Sequence, residues 1–169
     1  MKILQSTHED TEAIMRLYDA GTDHQKKVAK KHWQGFEKSL VEKEIGEQNQ
    51  WKIVIDGEIA CVFATAFCDP FIWQEKDEDP AVYLHRIATN PQFRGMHFVK
   101  HIVAWTKEYA LQNGKAYIRM DTGSGNDKLN NYYVSCGFTY LGVTEYPVTD
   151  QLPEHYNDGC SSLFEINLN

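Results

Sequence analysis

The sequence is short of the features that mark specialised chains. Its four cysteines, Cys61, Cys68, Cys136 and Cys160, stand far apart with no C-x-x-C pair. Their spacing spells neither a zinc cage nor a small disulfide scaffold. Cys61, Cys68 and Cys136 sit in apolar surroundings and read as core residues rather than nucleophiles. No run approaches the ~18 apolar residues that a membrane span requires, and Met1–Ser6 lacks the long apolar stretch of a secretory leader. A cytoplasmic, reducing compartment with free thiols is the expectation. Basic residues are outnumbered, 17 Lys and Arg against 24 Asp and Glu, for a net charge of −7. Such a balance argues against a general nucleic-acid binder, whose affinity rests on cations neutralising phosphates. It suits a cationic substrate. Repeats, low-complexity tracts and linkers are absent too. What remains is an ordinary globular composition, 42% hydrophobic and 24% charged over 169 residues. One domain spanning 1–169 is expected, long enough to bury roughly 70% of its unfolded surface without metal or disulfide.

Periodicity predicts the elements. A strand at about 2–6 is followed by Thr7-His8-Glu9-Asp10, a capping box opening a helix with Ile14, Met15, Leu17 and Tyr18 on one side. A second helix is predicted over about 27–45, carrying Val28, Trp33, Phe36, Leu40, Val41 and Ile45. Its lysines, Lys26, Lys27, Lys30 and Lys31, form either a solvated face or an anion patch. Trp51–Ile55 runs into Asp56-Gly57, a strong hairpin signal, with Ile59–Cys68 returning. After an acidic loop come a strand at Ala81–Thr89, a helix at about 94–112 and a strand at Ala116–Met120. A short helix at about 127–136 and strands at Phe138–Tyr146 and Ser162–Leu168 complete the chain. The order is that of an α/β (α+β) protein, a mixed sheet of about six to seven strands with helices on both faces.

The chemistry concentrates at Arg86–Phe98. Pro91 ends the strand because it cannot donate to a ladder, and Gly95 lets the backbone turn closely into the next helix. The N-terminus of that helix offers unpaired N–H groups and partial positive charge, a site suited to pyrophosphate, with Arg94 as a mobile cation beside it. Gln92-x-x-Gly95-x-His97 resembles the Q/R-x-x-G-x-G/A pyrophosphate loop of the GNAT superfamily of acyl-CoA-dependent N-acetyltransferases. His97 departs from the usual Gly or Ala. Downstream, Asn126-x-x-Leu129-x-x-Tyr132-Tyr133-x-x-x-Gly137-Phe138 is similar to that family's second signature. Two motifs in order, within a matching order of elements, extend the resemblance over essentially the whole chain.

The resemblance implies a single GNAT-type domain that moves an acetyl group from acetyl-CoA to a primary amine by direct attack in a ternary complex. It implies that the backbone of Phe93, Arg94, Gly95, Met96, His97 and Phe98, with Gln92, holds the pyrophosphate. The pantetheine arm would follow Ile87, Ala88 and Thr89, alongside the strand at 116–120, and amides near Ile87 and Ala88 would polarise the thioester carbonyl. Tyr133 matches the motif tyrosine that protonates the leaving thiolate; its other reading is a core tyrosine. Asn126 either contacts the cofactor or caps the helix after it. His85, beside Tyr83 on one strand face, is either a general base or a buried, hydrogen-bonded histidine. The acidic loop at 75–79 either draws in a cationic amine or is merely solvated, and Phe71, Ile72 and Trp73 either line an acceptor pocket or pack.

Rival motifs fail on residue identity. Gly123-Ser124-Gly125 would need a third glycine at Lys128, and no G-x-x-x-x-G-K-[ST] loop exists. His97 and His101 lack the Glu of a zinc helix, so no metal is expected. A small amine or amino-acid-like acceptor is expected first and a peptide or protein amine second. A non-catalytic acyl-CoA-binding module is the rival from another class, with a nucleotide-binding domain behind it. Family members commonly pair, which leaves a homodimer open, and no membrane or nucleic-acid partner is expected. The irregular segment after Pro147 either shapes the acceptor site or meets a partner.

Overall fold

Runs rich in Val, Ile, Phe and Tyr set the frame of the computed structural model, which describes residues 1–169. Seven strands form: β1 (Lys2–Gln5), β2 (Gln50–Ile55), β3 (Glu58–Ala66), β4 (Ala81–Thr89), β5 (Tyr117–Gly123), β6 (Thr139–Glu145) and β7 (Cys160–Asn167). Between them lie helices α1 (Thr11–Val28), α2 (Lys38–Gly46), α3 (Pro70–Trp73), α4 (Phe98–Gln112) and α5 (Asp127–Ser135). The sheet order is β1-β2-β3-β4-β5-β7-β6. It is mixed: β4 and β5 run parallel, whereas β1–β2, β2–β3, β5–β7 and β6–β7 are antiparallel. The chain divides into two compact units, residues 1–65 with 85–98 and residues 66–84 with 99–169. No helix is long and apolar enough to cross a membrane.

In the first unit the capping box closes as its residues require: Thr7 N–H donates to Asp10 Oδ2 at 2.7 Å, and α1 follows. Ile14, Leu17 and Tyr18 of α1 meet Val41 and Ile45 of α2, Val62 of β3 and Ala88 of β4 in one core cluster. The single helix expected at 27–45 does not form. α1 stops at Val28, Ala29 is extended, and α2 begins only at Lys38. The intervening aromatics explain the break. Trp33 and Phe36 pack edge-on or tilted against Tyr18 at 6.0 and 5.1 Å, and Gln25 Oε1 accepts from the Trp33 N–H at 2.9 Å. Aromatic packing thus replaces helix propensity, and Val28 is left exposed.

In the second unit, β7 lies between β5 and β6, and Phe164 at its centre is fully buried. α4 turns Val99, Ile102, Val103, Thr106 and Ala110 inward, the Thr106 hydroxyl donating to the Ile102 carbonyl at 2.7 Å. The helix starts at Phe98 rather than near residue 94, a difference taken up below. Cys61 and Cys136 are buried, but Cys68, expected in the core, is exposed beyond the end of β3.

The acidic stretch after α3 is not merely solvated. Arg119, only 1% exposed, donates to Asp79 at 2.5 Å, to Glu165 at 2.8 Å and to the Lys76 carbonyl. Its guanidinium stacks on Trp73 and Tyr117, and its Nη1 lies 3.3 Å from the Tyr83 hydroxyl. Burial opposes the Arg119 charge, but Asp79, Tyr83 and Glu165 together outweigh it and hold the guanidinium above its ordinary value. Ile72 and Trp73 accordingly pack into a core cluster with Tyr83, Tyr146 and Leu163. Removing one member of a buried charge network leaves its partners uncompensated, although Asp79, half exposed, can rehydrate. Arg119→Met should lower the unfolding free energy by about 3 kcal/mol in urea titrations. A loss below about 1 kcal/mol would show that the network contributes little.

Candidate functional site

β4 keeps its parallel register with β5 over four pairs, from Ala81↔Tyr117 to Leu84↔Met120. His85, half-buried, follows that last pair. Arg86 comes next, with φ at +49°, in the left-handed region that non-glycine residues seldom occupy. A residue held there inside a strand costs roughly 1–3 kcal/mol and bulges the strand, re-aiming the residues beyond it. The Arg86 side chain forms an ion pair with Glu44 of α2 and lies 5.6 Å from the Phe36 ring. Burial opposes its charge, while Tyr18 and Glu44 hold it above its ordinary value. Past the bulge, Ala88 is buried against Ile14, Leu17 and Tyr18, whereas Ile87 and Thr89 are half-buried. The Thr89 hydroxyl reaches Cys61 Sγ at 3.8 Å; burial pushes that thiol up to about 12.

Asn90 then pins the turn. Its N–H donates to the Ala60 carbonyl and its Nδ2 to the Ile59 carbonyl, while its Oδ1 accepts from Gln92 N–H at 3.1 Å. A single tight turn, Pro91–Phe93, is followed by extended Arg94. Gly95 has φ +86°, and a Cβ built on it would meet nothing within 4 Å. Gly95 is therefore demanded by backbone conformation, not by a crowded protein neighbour. His97 is also left-handed, with φ +54°. The position usually filled by Gly or Ala thus needs a residue that tolerates positive φ, which His does better than most. Two left-handed residues within three positions keep 94–97 out of the helix, so α4 begins at Phe98.

Gln92 and residues 94–97 are exposed, Phe93 is half-buried and Phe98 is buried. The result is a solvent-facing run of backbone leading directly into the N-terminus of a 15-residue helix, whose first N–H groups lack intrahelical acceptors. Its exposed backbone and open Gly95 fit a pyrophosphate. His24, near the end of α1, is held below its ordinary value by burial and by the charges of Arg94 and Lys27, which places both cations in its vicinity.

In the second unit, α5 is fixed at both ends. Asn126 is its N-cap, its Oδ1 accepting from Leu129 N–H at 3.1 Å. At the other end, Gly137 N–H donates to the Val134 carbonyl and Phe138 N–H to the Tyr133 carbonyl, with Gly137 at φ +105°. This is a Schellman cap, and its customary apolar contact is present as the Tyr133 and Phe138 rings, 6.4 Å apart. Tyr133 also packs edge-on against Phe164 at 5.2 Å. Burial, with the negative charges of Tyr132, Cys136 and Asp121 when ionised, raises the Tyr133 phenol above its ordinary value. Asp121 of β5 accepts from the Tyr156 hydroxyl at 3.3 Å, and Tyr156 lies edge-on to Tyr146 at 5.9 Å. The segment after β6 is thereby tied to β5 beside Tyr133. Neither Asp121 nor the Arg86–Glu44 pair was indicated by a motif. A carboxylate in a strand and a left-handed arginine carry no local sequence signal.

Ile87–Thr89 and the loop Gln92–Phe98 therefore belong to one unit as a continuous segment, and Asn126 and Tyr133 share α5 in the other. The model of the acetyltransferase (GNAT) family matches residues 27–138, two thirds of the sequence and both motifs. The chain belongs to that family. It is 23% identical over 146 residues to YesJ of Bacillus subtilis, an uncharacterised N-acetyltransferase, covering 82% of this chain and 81% of that protein. Its fold is that of a GNAT acetyltransferase from Listeria monocytogenes, with TM-score 0.78 at 21% identity over 99% of this chain and 94% of the other. YncA from Salmonella typhimurium, solved with its cofactor acetyl-CoA, has TM-score 0.69 at 13% identity, again over 99% and 94%.

The left-handed loop predicts opposite outcomes for two substitutions. Gly95→Val should weaken acetyl-CoA binding at least ten-fold by calorimetry, because a β-branched residue resists φ +86°. His97→Gly should bind acetyl-CoA as well as the natural sequence, since glycine adopts φ +54° freely. Weaker binding by His97→Gly would assign the imidazole itself a contact.

Proposed function

We propose that this chain is an acetyl-CoA-dependent N-acetyltransferase acting on a small primary amine, by direct attack of the amine on the acetyl group. The observation that carries the reading is the exposed left-handed loop that leads into the N-terminus of α4; the second motif independently supplies a phenol, Tyr133, on a helix capped at both ends. YncA's complex with acetyl-CoA supports the donor. Acetyl-CoA supplies an activated acyl group and a thiolate leaving group.

The chain's own residues do the rest. Backbone N–H groups of 93–98, with Gln92 and Arg94, bind the pyrophosphate. Amides at Ile87 and Ala88 face the thioester carbonyl and stabilise its developing negative charge. The C–N bond forms as the C–S bond breaks. Tyr133 gives its proton to the departing thiolate, and the proton lost by the amine leaves through water or His85. Asn126, which spends its Oδ1 on capping, retains its NH₂ for the cofactor backbone. Asp121, with Tyr156 and Tyr146 beside it, supplies negative charge and aromatic faces suited to a cationic amine. The overall charge of −7 favours the same class of acceptor.

Tyr133→Phe removes the proton and little else. Its kcat, followed by thiol release on a panel of small amines, should fall about 10²-fold, with KM for acetyl-CoA unchanged within about three-fold. In the unsubstituted protein the raised phenol stays protonated through neutral pH, so any loss of kcat from its ionisation should begin above pH about 10. An unchanged kcat in Tyr133→Phe removes the assignment. Acetyl-CoA binding without thiol release on any amine would instead mark a binding module.

A further inference from the structure

Arg86 has an arrangement that acetyl transfer by itself does not require. It occupies the left-handed region in the middle of β4, and its guanidinium is turned towards the helices of its own unit. There it pairs with Glu44, which lies on α2 between the buried residues Val41 and Ile45. The Phe36 ring and the Tyr18 hydroxyl flank the pair, the latter also 3.2 Å from Gln50 Oε1. Both side chains are largely removed from water, 11% and 16% exposed. A pair in such surroundings is no more stabilising than apolar packing of equal volume, so stability alone does not account for it. A residue with no partner for its side chain would relax towards the extended conformation, and the two residues after it would rotate with the backbone.

We propose that the Glu44–Arg86 ion pair is a positioning device: it holds residue 86 left-handed and thereby aims the amides of Ile87 and Ala88. Arg86 and Glu44 are positioning residues, acting through the backbone rather than on the reacting atoms. The inference rests on the acetyl-transfer reading for what those amides face, and its geometry lies wholly within residues 1–65 and 85–98.

The test compares Glu44→Gln, Arg86→Met and Arg86→Lys with the unsubstituted protein, all well below their melting temperatures. Steady-state kcat and KM are measured together with the infrared carbonyl band of bound acetyl-CoA labelled with ¹³C at the acetyl carbonyl. Hydrogen bonding to that carbonyl lowers its frequency, so the band reads the amides directly, with or without turnover. Glu44→Gln and Arg86→Met should return the band towards that of free acetyl-CoA and lower kcat at least ten-fold, with KM for acetyl-CoA within about three-fold, because the loop at 91–98 is untouched. Arg86→Lys, which keeps the charge, should restore part of both. If Glu44→Gln fails to fold, the Met and Lys variants decide alone. An unshifted band with unchanged kcat, and only a lower melting temperature, overturns the proposal and leaves the acetyl-transfer reading intact. Normal band shifts without turnover on any amine would sink that reading while supporting the positioning role. No acetyl-CoA binding by the unsubstituted protein overturns both.

Discussion

A single backbone conformation, φ +49° at Arg86, divides β4 into two parts on which the proposed site depends. Up to Leu84, β4 behaves as an interior parallel strand whose residues are all buried. Beyond Arg86 it serves a different purpose: Ala88 fills the core under α1 and α2, and Asn90 hands the chain to the loop. An amide spent on a sheet ladder is not free for a ligand, so sheet hydrogen bonding and the proposed recognition of the thioester make competing demands on the same amides. In the proposed reading, one left-handed residue separates the two roles within a strand that stays continuous. The strain is local, and the charge pair with Glu44 and the aromatic faces around it are the interactions available to offset it.

Much of the architecture was legible because it depends on short-range chemistry. The capping box at Thr7, the Asp56-Gly57 hairpin and the strand-forming run Ala81–Thr89 each act within a few residues, and each appears where the pattern places it. The failures share a physical cause. Helical spacing of Val28, Trp33, Phe36 and Val41 is indistinguishable from the spacing of aromatics that fold back on Tyr18, since the deciding contact is tertiary. Asp79 and Asp77 look like solvated charge until Arg119, 40 residues downstream of Asp79, is seen to pair with the first, and the Asp69 N–H to donate to the second. Exposed Cys68 differs from Cys61 only in lying past the end of its strand.

For the site, the two motifs were readable and the reasons for them were not. Asn126 and Gly137 form the two caps of one short helix, so the second signature is in large part a capping pattern with a tyrosine set into it. In the first signature, the residue types at 95 and 97 report backbone handedness, which explains how His97 stands in a place usually given to glycine. Arg86, Glu44 and Asp121 were invisible because each depends on a partner distant in the chain. His85 is the intermediate case: its position at the end of the parallel register is evident, and its chemistry is not legible from the strand pattern.

The double capping of α5 has a consequence for how this chain tolerates change in length. Each residue of a helix advances the chain by about 1.5 Å and about 100° of rotation. Between the N-cap at Asn126 and the phenol at Tyr133 the helix therefore works as a ruler of fixed pitch, stopped at its far end by Gly137. Exchanging residues on its outer side leaves the ruler intact. Adding or deleting one residue would swing the tyrosine by more than a quarter turn, and with both ends pinned the helix could not unwind to compensate. In this segment register is a harder constraint than residue identity, and insertions belong in the loops on either side of it.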